Sequence, residues 1–328
     1  MYNIGLTIIK DPVKDIPIAN ILSIFNDISK HVDTVVDLIH IRQSLVKYGK
    51  TNQLLELVQP TLEGLNATCS VEGIGSAIMS VLRWIKDKIV KLVLFIKEII
   101  ITIGRNIRST VTSIYAKLRN IPDPNTPISF TTAIVSKEFL DKVVGQSKRL
   151  VSVLEEILNR LGPTVTKEDL EKLYYNTTDN LTKADDELGE SIRNIKLNEG
   201  GEYIHNTKPV KILADLNIKV EYCNVYAGVV HDILERTEKL LRGLKNKVSQ
   251  IENTMGQIRS DEDLQRERAI EYNLDTTKRY LSYFSRAIEY NVLIYRRIQS
   301  DLVNMLNFIT KYNTNTLPKS IVVRENQI

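Results

Sequence analysis

Residues 76–120 read SAIMSVLRWIKDKIVKLVLFIKEIIITIGRNIRSTVTSIYAKLRN, and the spacing of their polar side chains decides the fold. Arg83, Asp87, Lys91, Glu98, Thr102, Arg105, Ser109 and Thr112 recur at intervals of three, four or seven. On a helix they form one narrow polar stripe along an otherwise apolar cylinder. Nine cations (Arg83, Lys86, Lys88, Lys91, Lys97, Arg105, Arg108, Lys117, Arg119) stand against only Asp87 and Glu98, an excess of seven charges in a chain whose total is +4. A wide apolar face with a basic rim and Trp84 near its start suits two settings: a helix lying on a membrane surface, or one apolar wall of a helical bundle. The cations Arg83, Lys86, Lys88, Lys91, Lys97, Arg105 and Arg108 are the candidate contacts for an anionic surface, whether membrane or DNA.

The rest of the chain points to helices as well. With 14 Gly, 9 Pro and 6% aromatic residues in 328, it lacks the turns and packed rings of an all-β protein. The expected class is mainly α: an N-terminal helical hairpin, then a bundle of long helices with at most a few short strands. Ile89–Ile103 is the most apolar run, but Lys91, Lys97 and Glu98 interrupt it well short of the roughly 20 apolar residues a membrane span needs. The start MYNIGLTIIKDPVKD lacks the basic-then-apolar order of a secretory signal. Cys69 and Cys223 are too few for a disulfide framework and are expected as free thiols.

Taken in order, Ile18, Ile21, Phe25, Ile28, Val32, Val35, Ile39 and Val46 predict a first helix, ended near Gly49. A shorter helix is expected from Asn52 to about Leu65. Residues 1–72 hold six cations and eight anions. A slightly acidic hairpin therefore precedes a strongly basic stretch. Asn66–Gly75 (NATCSVEGIG) has the composition of an exposed linker. The expected divisions are residues 1–72, 73–120 and 121–328, the last with a loosely held tail over its final sixteen residues.

IPDPNTP, residues 121–127, breaks the long helix. A short strand is expected within Ile128–Val135, a helix from Ser136 to Leu161, and a capped start at Thr166 with Asp169 three residues on. Tyr174, Leu181, Leu188 and Ile195 recur every seven residues. Residues 198–211 form a turn-rich connection with room for one or two short strands, and a helix follows from Tyr226 through Met255. Ser260 is expected to cap the last helix, residues 261–312. Its row Leu274, Leu281, Ile288, Tyr295, Leu302 and Ile309 keeps strict heptad spacing. That row should pack on residues 166–195 and 213–258, and Asn291 beside it is a candidate register-setting amide.

Catalytic chemistry finds little to build on. The four histidines sit in no HExxH, GxSxG or HxE pattern, and LGPTVTKED lacks the second glycine of a phosphate loop. His31, Asp33, Asp37 and His40 lie close in sequence, but on a helix the two histidines point apart, so no metal is expected. No catalytic residue and no cofactor is assigned. Tyr272, Arg279, Tyr280, Tyr283, Arg286, Tyr290, Tyr295, Arg296 and Arg297 interleave rings and cations, yet residues 261–312 are electrically neutral and the rings fall on or near the seam.

The order of parts is distinctive: an acidic hairpin containing IRQSLVKYGKTNQLLELVQPTLEGL, a small linker with SVEGIG, then SVLRWIKDKIVKLVLFIKEII. Over the first 120 residues it resembles the internal head proteins of large tailed bacteriophages. That resemblance implies a non-enzymatic protein packaged in the capsid interior through a cleavable N-terminal segment and ejected with the DNA. Its implied partners are a prohead protease and capsid or scaffold proteins. It implies localisation in the virion, and in host cytoplasm during assembly or after ejection. The family's protease cuts after a small residue, any residue and Glu, which assigns Ser70, Val71 and Glu72, with Gly73 beginning the mature chain. The same tripeptide pattern occurs at Ser136–Glu138, Gly200–Glu202, Ser260–Glu262, Ala269–Glu271 and Ala287–Glu289. The hairpin is expected to pack on residues 76–120 before cleavage, or on a scaffold partner. The alternative function is a membrane-active helical toxin or pore-forming protein, in which residues 76–120 insert.

Overall fold

The buried rows of five long helices converge on one apolar core, with a two-stranded ribbon at its side. The computed structural model describes residues 18–49, 56, 59–60, 62–65, 68–120, 133–161, 168, 182–191, 201–203, 209–258 and 264–316. In chain order come α1 (Ile18–Tyr48), α2 (Val71–Arg119), β1 (Ala133–Val135), α3 (Lys137–Arg160), β2 (Gly201–Tyr203), α4 (Pro209–Gln257) and α5 (Leu264–Thr316). Residues 182–191 are also helical. The expected mainly-α bundle with a few short strands is what the structure contains.

α2 is the central wall. Its aliphatic row from Ile74 to Ile114 is buried, while Arg83, Asp87, Lys91, Glu98, Arg105, Ser109 and Thr112 face water. Burial of each large aliphatic side chain contributes about 1.5–3 kcal/mol. Of the two settings open to this helix, its wide apolar face therefore occupies the bundle wall. α4 runs antiparallel beside it, since Met79 lies at Gly256, Arg83 at Glu252 and Gly104 at His231. α1 covers a second flank, where His31 stacks on Trp84 with ring centroids 3.6 Å apart.

α1 also runs antiparallel to α5. Arg42 pairs with Glu267 in the interior, His40 Nε2 meets Glu271 at 2.9 Å and Lys278 reaches Asp33 at 2.6 Å. α3 lies parallel to α4 through Tyr226–Asp141 and Arg236–Glu155. Gly243 lets the two approach, because an added Cβ there would stand 2.7 Å from Leu158 Cδ2. The segment 182–191 lies parallel to α5, where Thr182 meets Tyr283 and Asp185 meets Arg286. Ala184 and Leu188 turn into the core.

Every member of the row Leu274, Leu281, Ile288, Tyr295, Leu302 and Ile309 is buried, and α5 is unbroken through Asn291. Its packing is broader than expected, because α1, α2 and α3 close on it as well as α4 and residues 182–191. A single heptad row names one side of a helix and not the neighbours that share it. Asn291 is fully buried; its Oδ1 accepts from the Ser147 hydroxyl of α3 at 2.8 Å, and its Nδ2 donates to Ala287 O.

β1 pairs antiparallel with β2, Ala133 opposite Tyr203 and Val135 opposite Gly201. The inner edge of β1 is satisfied by side chains. Val135 N donates to Asp301 of α5 at 2.8 Å, and Tyr222 of α4 donates its hydroxyl to Val135 O at 2.7 Å. Burial lifts the Asp301 carboxyl to about 6, against the pull of Arg297 and the Val135 amide. It pushes the neighbouring Cys223 thiol up as well, and Asp301 adds to that rise. Both cysteines are free.

Three boundaries differ from expectation. α2 begins at Val71 and not near Ser76, α4 begins at Pro209 inside the expected connection 198–211, and α5 continues to Thr316 into the expected loose tail. The expected caps at Ser260 and Thr166, the heptad positions Tyr174, Leu181 and Ile195, and residues 317–328 lie outside the described residues. Of the second hairpin helix, residues 56, 59–60 and 62–64 are helical, and Leu62 is buried.

Candidate functional sites: the outer face of α2 and its N-terminal junction

The junction is built as a helix cap. Ser70 is extended (φ −141°, ψ 160°), and its side chain accepts from Gly73 N at 3.0 Å. This satisfies one of the amides that a helix start leaves open. Glu72 sits exposed in the first turn, where a carboxylate is favoured by the positive end of the helix dipole. Thr68 folds over the cap so tightly that a Cβ at position 73 would collide with its hydroxyl and carbonyl, which leaves glycine as the fitting residue. Ile74, the next residue, already points into the core.

The expected exposed linker is therefore shorter than the span 66–75. Its second half is helix, because a good N-cap precedes the first buried residue of the α2 row. The candidate cleavage residues Ser70, Val71, Glu72 and Gly73 span the cap and first turn. Ser136–Glu138 is built the same way, with the Ser136 hydroxyl accepting from Phe139 N at 3.1 Å. Ala269–Glu271 and Ala287–Glu289 lie inside α5, and Glu202 lies in the ribbon. Among the described tripeptides only the first two stand at helix starts, and there the serine as N-cap and the glutamate in the first turn each suit the helix start in their own right.

The seven candidate cations of α2 divide into distinct groups. Arg83 and Lys86 turn to α4 and hold Glu252 at 2.9 and 2.8 Å. The Lys86 hydrogen bond, with that of Arg83, pulls the Glu252 carboxyl below its ordinary range despite burial. These two cations join helices. Lys88 stands over the Trp84 ring, 4.8 Å from its centroid. Lys91, Lys97, Arg105 and Arg108 face water and form no ion pair among the described residues. They are the outward part of the predicted set.

Sequence reasoning missed what stands among them. Val90, Leu94 and Ile101 share the outer stripe and are exposed, although composition alone assigned them to the apolar face. It also missed a depression of about 450 Å³ where α2 crosses α4, floored by Ile103, Ile107 and Val111 and walled by Ala227, Gly228 and His231. The visible signal was Gly104 opposite the small pair Ala227–Gly228. His231 Nδ1 is buried there without a hydrogen-bond partner, while Nε2 lies 3.5 Å from Glu235.

Other candidates resolve into structural roles. His31 stacks on Trp84 and its Nδ1 bonds Asp27 O, while His40 pairs with Glu271. No group of three or more metal-ligating side chains occurs among the described residues. Tyr280 and Tyr295 are inside the core, with the Tyr295 hydroxyl donating to Ile103 O. Arg279, Arg286 and Arg297 are paired with Asp275, Asp185 and Asp301. Tyr280, Tyr295 and Arg286 are thus spent on the bundle, while Arg279 and Arg297 pair along α5 itself. His205 lies outside the described residues. No described helix is long and apolar enough to cross a membrane. Comparison with protein-family models, curated proteins and solved structures finds no match.

Proposed function

We propose that this chain is a non-enzymatic internal virion protein of a tailed bacteriophage, processed between Glu72 and Gly73 by a prohead protease, carried inside the capsid and ejected with the DNA. The observation that supports it most is the junction. An exposed Glu72 two residues after a small side chain lies in a terminal helical turn, between a segment of net charge −2 and a helix with seven excess positive charges. Terminal turns open at low cost, so a protease gains an extended substrate there without unfolding the bundle. Removing residues 1–72 takes away six cations and eight anions and raises the remaining charge from +4 to +6. That direction suits storage beside DNA.

One consequence distinguishes this protein from one with a loosely tethered leader. α1 buries Ile21, Phe25, Ile28, Val32, Val35, Leu38, Ile39 and Leu45. At about 1.5–3 kcal/mol each, these side chains hold α1 in place after the peptide bond is cut. Cleavage then yields two chains in one fold, and loss of α1 requires a further step such as subsequent trimming or a competing partner.

Mass spectrometry of purified particles tests the reading. The expected result is a peptide beginning at Gly73 and depletion of the tryptic peptide from Thr51 to Arg83. That junction-spanning peptide at full abundance overturns processing, whereas recovery of α1 peptides alone is compatible with a nicked, retained helix.

A further inference from the structure

The exposed aliphatic side chains of α2 lie among its outward cations. Val90, Leu94 and Ile101 are 36%, 60% and 51% exposed. A lone exposed leucine is ordinary on any protein. Here three aliphatic residues recur on one stripe at intervals of four and seven, beside Lys91, Lys97, Arg105 and Arg108. Among the described residues nothing uses this arrangement, since the core is already supplied by the opposite face of the same helix.

The far end of the stripe opens into the α2–α4 depression. Ile101, Gly104, Arg105, Arg108, Ser109 and His231 line its outer part. Two guanidiniums therefore stand at the mouth of an apolar recess that also holds the unpartnered His231 Nδ1. Nucleic acid would use the cations but gains nothing from aliphatic side chains, and the one aromatic residue between Val90 and Arg108, Phe95, is half-buried against the core and not offered for base stacking. A phospholipid surface uses both, with acyl chains against the aliphatic groups and phosphates against the cations.

We propose that the outer face of α2, from Val90 to Arg108, docks the folded protein onto an anionic phospholipid bilayer, with a headgroup phosphate seated between Arg105 and Arg108 at the mouth of the depression. Docking is peripheral: the helix stays in the bundle and lies in the interface plane. It does not depend on processing at Glu72.

Trp84 reports on the distinction, because it is the only tryptophan and packs under α1 against His31. The experiment is sedimentation of the full chain with phosphatidylcholine vesicles, with and without phosphatidylserine, followed by quenching with brominated lipid. Affinity for the anionic vesicles should exceed that for neutral ones at least about tenfold and fall with salt. Arg105→Glu with Arg108→Glu should remove the preference. Leu94→Gln with Ile101→Gln should weaken binding about tenfold without lowering the melting temperature. Trp84 should stay unquenched. Equal or absent binding to the two vesicle types, or variants that bind like the parent, would overturn the proposal. So would quenching of Trp84, which means that α2 has left the bundle, or binding of duplex DNA by the same cations without binding of vesicles.

Discussion

α2 buries seventeen residues, all aliphatic or alanine except Thr110. α5 is only slightly longer, 53 residues against 49, yet it buries Glu267, Asn273, Thr277, Asn291, Gln299 and Asp301 beside its apolar row. Several of these polar groups reach a different neighbour: Glu267 meets Arg42 of α1, Asn291 meets Ser147 of α3, and Asp301 meets the backbone of β1. The contrast separates two ways of holding one core. α2 contributes area, which is non-directional and tolerates exchange of one aliphatic side chain for another. α5 contributes position, because a buried polar group is stable only where its partner stands.

The largest expected difference lies at the Arg42–Glu267 pair. Glu267→Leu removes the carboxylate that faces the buried Arg42 guanidinium and should cost about 3–5 kcal/mol in chemical denaturation. Adding Arg42→Met should recover most of that loss. If the single change is no worse than an aliphatic swap in α2, α5 does not set position in this way.

Asp301 comes next, through pH. Its folded carboxyl titrates near 6 against an ordinary 3.8, so the native state holds the proton more tightly than the unfolded chain. The contribution is present in full below about pH 4 and is lost as pH rises through 6, a total of about 3 kcal/mol. Arg297, Lys219 and the Val135 amide oppose the shift without cancelling it. Asp301→Asn has no such proton to lose. Relative to the parent, it should gain about 3 kcal/mol between pH 4 and pH 7.5 in denaturation series. A parallel pair of stability curves would refute this.

A smaller effect sharpens the comparison directly. Asn291→Leu strands the Ser147 hydroxyl in the core and should cost about 2 kcal/mol. Ile89→Leu at an equally buried α2 site should cost less than about 1.5 kcal/mol. Reversal of that order in thermal melts would show that packing detail outweighs polar placement here. Smallest of all, Leu94→Gln on the outer stripe should change stability by less than about 0.5 kcal/mol.

The periodicities were legible because they record a local fact, which side of a helix is apolar. The polar stripe of α2, the heptad row of α5, the helix that follows Ser136 and the end of α2 ahead of residue 121 all appear as read. The helix start at Val71 was obscured because Asn66–Gly75 looks like linker by composition, while a single serine hydroxyl and the buried Ile74 decide where the turn closes. Val90, Leu94 and Ile101 share the spacing of the polar stripe but not its residue type, and residue type alone put them with their buried neighbours.

From the sequence alone came the class of fold, the approximate positions of the long helices, the buried sides of α2 and α5, and the absence of a recognisable catalytic motif. Each follows from spacing and side-chain chemistry along one element. Only the tertiary structure decided that α1 is part of the core, that Arg83 and Lys86 belong to Glu252, and that four cations and three aliphatic groups share one outward stripe. Those outcomes depend on which helices meet and in which direction, and contacts between residues more than a hundred positions apart leave no periodic trace in either partner.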